Sequence, residues 1–377
     1  MSSTREALEA ALAARPNDVV RHSAYADLLM EEGDPRGDYI RLALACEDRD
    51  QPADRLRALE QEAFALRQRY EAEWLGPLAK FIDPPTGSSV GAMVASRNVE
   101  VTWKRGWLYN VDVNVLRADL AAALAACPVA RALQRFTVMQ TRPGPPAATP
   151  RSPAFIPLVR APWLPALRHF AFGPIVSGQS VLHLTEIENF VAGARRLKRL
   201  EFRGSVEDWS RFWARSPRRL RRLEITTSDP IPFRILESCE RLGNLRRIQL
   251  GSITHRQYPG PRTITPDELR TFFRSPHFPA LRYLTLRLPQ FGDVGIDELI
   301  ASGLIDRLRG LDLTGCGITD DGAQELAVCP AVSRLKYLRV DDNQLSPVGI
   351  DALAGVGVTV TRSAFGWHVP DDAGLEE

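Results

Sequence analysis

Leu308–Ala327 reads LRGLDLTGCGITDDGAQELA, and 27 residues further on Leu335–Ala354 reads LKYLRVDDNQLSPVGIDALA. The two align without a gap on the pattern L-x-x-L-x-L-x-x-N/C-x-L/I, filled by Leu308, Leu311, Leu313, Cys316 and Ile318, then by Leu335, Leu338, Val340, Asn343 and Leu345. A third copy, LRYLTLRLPQFGDVGIDELI, begins 27 residues upstream at Leu281 and departs at the Asn/Cys position, which holds Pro289. Three successive copies at one period signal a repeat architecture.

Physical chemistry explains the pattern. Within L-x-L the period is two, so Leu311 and Leu313 face inward while Gly310, Asp312 and Thr314 face the other way. The Asn or Cys closes the turn after the strand, satisfying backbone groups that would otherwise be buried unpaired. Thr319, or Ser346 ahead of Pro347, supplies a helix N-cap, and Leu326 and Leu353 fold that helix back over the strand. One strand and one helix cannot bury their apolar faces alone, so the units must stack.

Upstream the kernel recurs in looser form at Leu133 (LQRFTV), Leu167 (LRHFAF), Leu197 (LKRLEF), Leu220 (LRRLEI) and Leu245 (LRRIQL), at uneven spacings of 23 to 36 residues. TPDELRTFF, from Thr265, reads as an inserted helix with a capping box formed by Thr265 and Glu268. Thr141–Pro153 is proline-rich and reads as a loop. Val99–Val113 alternates like a strand pair about Arg105-Gly106 and is expected to cap the first repeat. Residues 131–362 resemble the leucine-rich-repeat family, in the variant of 27–28 residues with a helix per repeat found in ribonuclease inhibitor. The resemblance implies an α/β solenoid, a curved parallel sheet with outer helices, that binds proteins on its concave strand face.

Residues 1–83 read as helices: one at the start, a second capped by Asn17 or Asp18, a break at Gly33-Asp34-Pro35, a third near Gly37, and a long one over Asp54–Leu75. The string from Pro16 retains Asp18, Tyr25, Ala26, Asp27, Leu28, Glu31, Gly33, Asp34, Pro35, Arg36, Gly37, Ile40, Arg41 and Leu42. This pattern resembles the repeat-companion domain of planctomycete and myxobacterial proteins, a family that accompanies repeat arrays. Arg36 and Arg41 are expected to pair with the neighbouring carboxylates. The expected organisation is a helical companion domain (1–83), a capping segment (84–130), the repeats (131–362) and an acidic tail (363–377).

Net charge is +2, unevenly spread: Lys and Arg number 11 against 17 acids in 1–83, 36 against 22 in 84–340, and 1 against 7 beyond. Such a basic middle suits an acidic partner. No run of apolar residues is long enough for a membrane helix, and no secretory signal opens the chain, so a cytoplasmic protein is expected. The five cysteines are dispersed, which favours reduced thiols over disulfides or zinc. The chain has no P-loop, no GxSxG elbow and no HExxH, and its six histidines are scattered. These absences point away from an enzyme, a cofactor or a metal.

By strand parity, the partner-binding positions are Arg199, Glu201, Arg222, Glu224, Arg247, Gln249, Tyr283, Thr285, Arg287, Asp312, Tyr337, Arg339 and Asp341. Tyrosine beside arginine is a composition typical of interface anchors. The alternative is nucleic-acid or other polyanion binding through the arginine cluster at 195–222, where Trp209, Phe212 and Trp213 would stack on bases. An enzyme with an unrecognised site is the lesser alternative.

Overall fold

The computed structural model describes residues 3–48, 50–82, 98–141, 153–173, 181–182, 184–206, 209–227, 230–252, 264–356 and 360–361. Residues 142–152 of the proline-rich segment and the acidic tail fall outside them. Two compact units divide between Arg222 and Leu223.

The 1–222 unit opens with four helices: α1 (Ser3–Ala14), α2 (Val19–Glu31), α3 (Arg36–Ala45) and α4 (Ala53–Leu75). Asp18 caps α2, its carboxylate accepting the Arg21 N–H at 3.1 Å. Gly37 lets α3 cross α2 closely, because a Cβ there would meet the Ala26 carbonyl at 2.7 Å. The expected ion pairs of Arg36 and Arg41 do not form as such. Arg5 takes the acids instead, at 2.7 Å from Glu32, 3.2 Å from Asp34 and 3.3 Å from Glu9. Arg41 stays exposed beside Met30. Arg36 turns inward, donates to the Tyr25 hydroxyl, and lies over the Trp107 ring at 4.9 Å.

Trp107 belongs to an antiparallel hairpin of β1 (Val99–Lys104) and β2 (Trp107–Leu116), turning at Arg105-Gly106, both left-handed. Strands β3 (Arg135–Thr141), β4 (His169–Phe172) and β6 (Arg199–Arg203) then follow in parallel beside β2. The short β5 (Val181–Leu182) and β7 (Ser205–Val206) form a separate pair. Helices α5 (Ala118–Ala126), α6 (Ile156–Val159), α7 (Leu184–Gly193) and α8 (Trp209–Ala214) succeed β2, β3, β4 and β6. Phe136, Phe170, Phe155, Phe190 and Trp163 form their shared aromatic core.

Strand β8 (Arg222–Thr227) carries the unit boundary. In the 223–377 unit, β9 (Arg247–Ser252), β10 (Tyr283–Arg287), β11 (Gly310–Asp312), β12 (Tyr337–Arg339) and β13 (Val360–Thr361) pair in parallel, each with the next. Between strands come α9 (Phe233–Glu237), α10 (Pro266–Arg274), α11 (Gly292–Ala301), α12 (Asp320–Val328) and α13 (Pro347–Ala354). The Thr265–Glu268 capping box forms at α10, and Thr319 and Ser346 cap α12 and α13. Kernel leucines such as Leu284, Leu311 and Leu338 are buried, each stabilising by roughly 2 kcal/mol.

Repeat-to-repeat bonding explains the polar consensus positions. Asn343 donates to the carbonyls of Leu313 (2.8 Å) and Val340 (2.9 Å), and accepts the N–H groups of Cys316 (2.9 Å) and Ile318 (3.0 Å). Cys316 Sγ donates to the Leu286 carbonyl at 3.1 Å, one strand further back. On the helix side, Asp293 accepts from Thr319 N–H and Oγ1 (2.9 and 2.6 Å), and Asp320 from Ser346 N–H and Oγ (2.8 and 2.5 Å). Each carboxylate thereby holds the N-cap of the following helix.

Candidate interaction face on the strands

Parallel pairing puts Arg247, Tyr283, Gly310 and Tyr337 in one register row across β9–β12. Adjacent strands lie about 4.8 Å apart, so long side chains on one face must lie over their neighbours. Gly310 matters here, because a Cβ at that position would overlap the Tyr337 ring. Tyr337 leans across the gap and stacks on Tyr283, with ring centroids 6.3 Å apart and planes 16° from parallel. Arg247 covers the Tyr283 ring at 4.6 Å, and Arg339 sits 5.9 Å from the Tyr337 ring. The row therefore runs cation, ring, ring, with a second cation beside the last. Such contacts are worth roughly 0.5–1 kcal/mol each.

The next row holds Gln249, Thr285, Asp312 and Arg339. Asp312 accepts from the Thr314 hydroxyl at 2.6 Å and pairs with Arg287 at 3.5 Å. In the 1–222 unit the corresponding cluster centres on Glu201. His169 Nε2 lies 2.7 Å from one carboxylate oxygen and Arg199 Nε 2.5 Å from it, while Arg203 lies 3.1 Å from the other. Burial pushes the Glu201 carboxyl up, but the His169 hydrogen bond and the charges around it outweigh burial and hold it below the usual carboxylate range. Burial depresses His169 despite Glu201, so the imidazole is neutral near pH 7 and donates to an ionised Glu201.

The thirteen strand-face positions named from the sequence are not equally accessible. Glu201, Glu224, Arg247, Gln249, Tyr283, Thr285 and Asp312 are buried, Tyr283 being 6% and Thr285 2% exposed. Arg199, Arg222, Arg287, Tyr337, Arg339 and Asp341 remain partly accessible. Parity separates the kernel leucines from the opposite side of the strands but says nothing of how side chains cover one another across a step of about 4.8 Å. The accessible group in the 223–377 unit is thus Arg287, Tyr337, Arg339 and Asp341, resting on a buried layer that fixes their positions.

The arginine cluster at 195–222 is divided by the structure. Arg196 donates to the Ala13 and Ala14 carbonyls at the end of α1, Arg199 and Arg203 pair with Glu201, and Arg215 lies 3.4 Å from Glu188. Trp209 and Trp213 stack on each other at 5.9 Å and are buried, so neither presents a face for base stacking. Phe212 lies outside the described side chains. Sequence reasoning missed the buried Glu9–Tyr25–Arg36–Trp107 chain, in which the Tyr25 hydroxyl donates to Glu9 at 2.7 Å. Its only sequence signal is the spacing of Tyr25 and Arg36 in a string that otherwise reads as surface charge.

Among the described residues no group of His, Cys, Asp and Glu is arranged to hold a metal ion. Burial pushes the Cys316 thiol up to about 12 and Cys127 up to about 11, so both are packing groups rather than nucleophiles. No described helix is long and apolar enough to cross a membrane.

Parallel kernel strands, helices on the returns and the Asn/Cys turn bonds together give a fold of the leucine-rich-repeat solenoid class. A leucine-rich-repeat family model matches residues 308–327 and 334–354. Among solved structures, the chain is similar to a protein of Bacteroides fragilis, at 16% identity over 82% of this chain and 83% of that one, with a TM-score of 0.52. It also matches a leucine-rich-repeat protein of Leptospira interrogans (13% identity, 74% and 58% covered, TM-score 0.33). An internalin of Listeria monocytogenes matches at 10% identity over 66% and 76%, TM-score 0.33. The first likeness bears on the fold alone. No curated protein matches the sequence.

Proposed function

We propose that this chain is a non-catalytic, cytoplasmic protein-interaction module whose partner docks on the strand face of the 223–377 unit, around Tyr337, Arg339, Arg287 and Asp341. The observation that carries the reading is the fixed Arg247–Tyr283–Tyr337 stack with Arg339 beside it, seated over Gly310. Aromatic and arginine side chains held in place before binding lose little freedom on association, which suits an interface anchor.

The repeats are read as the ribonuclease-inhibitor-like type, and residues 1–83 as a repeat-companion domain. Two of the retained motif residues support the second reading, since Tyr25 and Arg36 join the helices to Trp107 of the hairpin. The motif would then serve to seat the companion helices on the first strands.

Affinity enrichment of tagged protein from its native lysate, with and without nuclease, tests the reading beside a Tyr337→Ala/Arg339→Ala variant of unchanged melting temperature. Retention of a nuclease-resistant protein by the parent and its loss from the variant is the expected result. Recovery of nucleic acid, or a partner indifferent to both substitutions, would sink it.

A further inference from the structure

Across β9–β12 of the 223–377 unit, the residue just before each strand is bonded through its backbone to the same position of the neighbouring repeat. Arg282 N–H donates to the Arg246 carbonyl at 2.9 Å, Arg309 to Arg282 at 2.6 Å, and Lys336 to Arg309 at 2.6 Å. All four residues are basic. Strand spacing sets them about 4.8 Å apart, so the row spans roughly 14 Å along the rim where the strands begin. Arg246, Arg309 and Lys336 are exposed. Among the described residues none of these three enters an ion pair or a side-chain hydrogen bond, while Arg282 turns to the Pro279 and Leu281 carbonyls. Like charges at this spacing repel one another, which disfavours the unliganded fold slightly and favours any anion laid along them. The kernel's second position is also basic in the 1–222 unit, at Arg168, Lys198 and Arg221.

We infer that this rim is a docking track for an acidic polypeptide segment, whose carboxylates lie along Arg246, Arg282, Arg309 and Lys336 while its apolar residues rest on Tyr337. The assignment rests on the strand-face interaction proposed above and adds the chemistry of the partner. Carboxylates on successive turns of a helix lie about 5–6 Å apart, close to the spacing of the cations. A DNA duplex presents a charge every 1.7 Å or so, roughly eight phosphates against four cations. It would also bring those phosphates over a face that carries the partly accessible Asp341. A peptide with sparse acids and apolar residues between them matches both the rim and the tyrosine beside it.

The test uses the full chain and a labelled peptide of four Glu-Leu-Ala-Ala repeats, its Gln counterpart and a single-stranded oligonucleotide of similar length, compared by fluorescence anisotropy. The Glu peptide is expected to bind about tenfold more tightly than the Gln peptide, and to lose about tenfold in an Arg246→Gln/Arg309→Gln/Lys336→Gln variant that melts like the parent. Equal binding of the Glu and Gln peptides, no effect of the triple variant, or tighter binding of the oligonucleotide would each overturn the assignment. Enrichment of the native partner separates this from the parent reading. A partner lost from the Tyr337→Ala/Arg339→Ala variant but kept by the rim variant removes the rim alone, whereas a partner kept by both removes the strand face as well.

Discussion

At the scale of single residues, the repeat lives or dies by a few polar side chains that no apolar group can replace. Asn343 bonds backbone groups of two successive repeats, so Asn343→Ala leaves several unsatisfied and is expected to cost about 2–3 kcal/mol, read as a lower urea midpoint with an unchanged slope. A shift under about 0.5 kcal/mol would mean that water replaces the amide without loss. Gly310→Ala should cost about 1–2 kcal/mol by displacing the Tyr337 ring, and that cost should largely vanish in a Tyr337→Ala background. His169 supplies a pH signature. Its folded pKa lies below the ordinary 6.5, so its contribution to stability is present above pH 6.5 and is lost as pH falls below it. Buried His22, likewise depressed, adds a loss of the same sign. Replacing His169 with Gln should flatten the fall in stability between about pH 6.5 and 5 relative to the parent, and an unaltered slope would contradict the burial argument.

Among the elements, the carboxylate at the start of one helix fixes the cap of the next. Asp320→Ala removes the acceptor shared by Ser346 and the Gly349 N–H, so α13 should lose about 1–2 kcal/mol and its amides should exchange faster than those of α12. Strands, caps and the capping box at Thr265 were legible because kernel leucines and cap residues state their role locally, and the three C-terminal copies agree in length. The side chains of the strand face were legible only by side. That Arg247 would cover Tyr283, or that Gly310 would admit Tyr337, depends on residues in adjacent repeats, tens of positions away in sequence. Arg36 misled for the opposite reason: its sequence neighbours are carboxylates, but its folded neighbours are Tyr25 and Trp107.

On the scale of the whole molecule, the boundary at Arg222/Leu223 was hidden because the LRRLEI kernel runs straight through it. The N-terminal helices and the first strands share one compact unit through the Arg36–Trp107 contact and the Arg131–Glu9 and Arg105–Glu47 ion pairs. Trp107→Ala should therefore cost about 3–5 kcal/mol and melt helices and hairpin together, whereas a first transition confined to the helices would show that they fold apart. The central claim is that a protein partner meets the strands rather than the helices of the 223–377 unit. Photo-crosslinking in the native cell compares the two sides directly, with a benzophenone amino acid placed at Tyr337 or at Val328, which is 81% exposed at the end of α12. The account predicts a cross-linked protein partner from position 337 and none from 328. Cross-links from 328 alone, or from neither position, would contradict it.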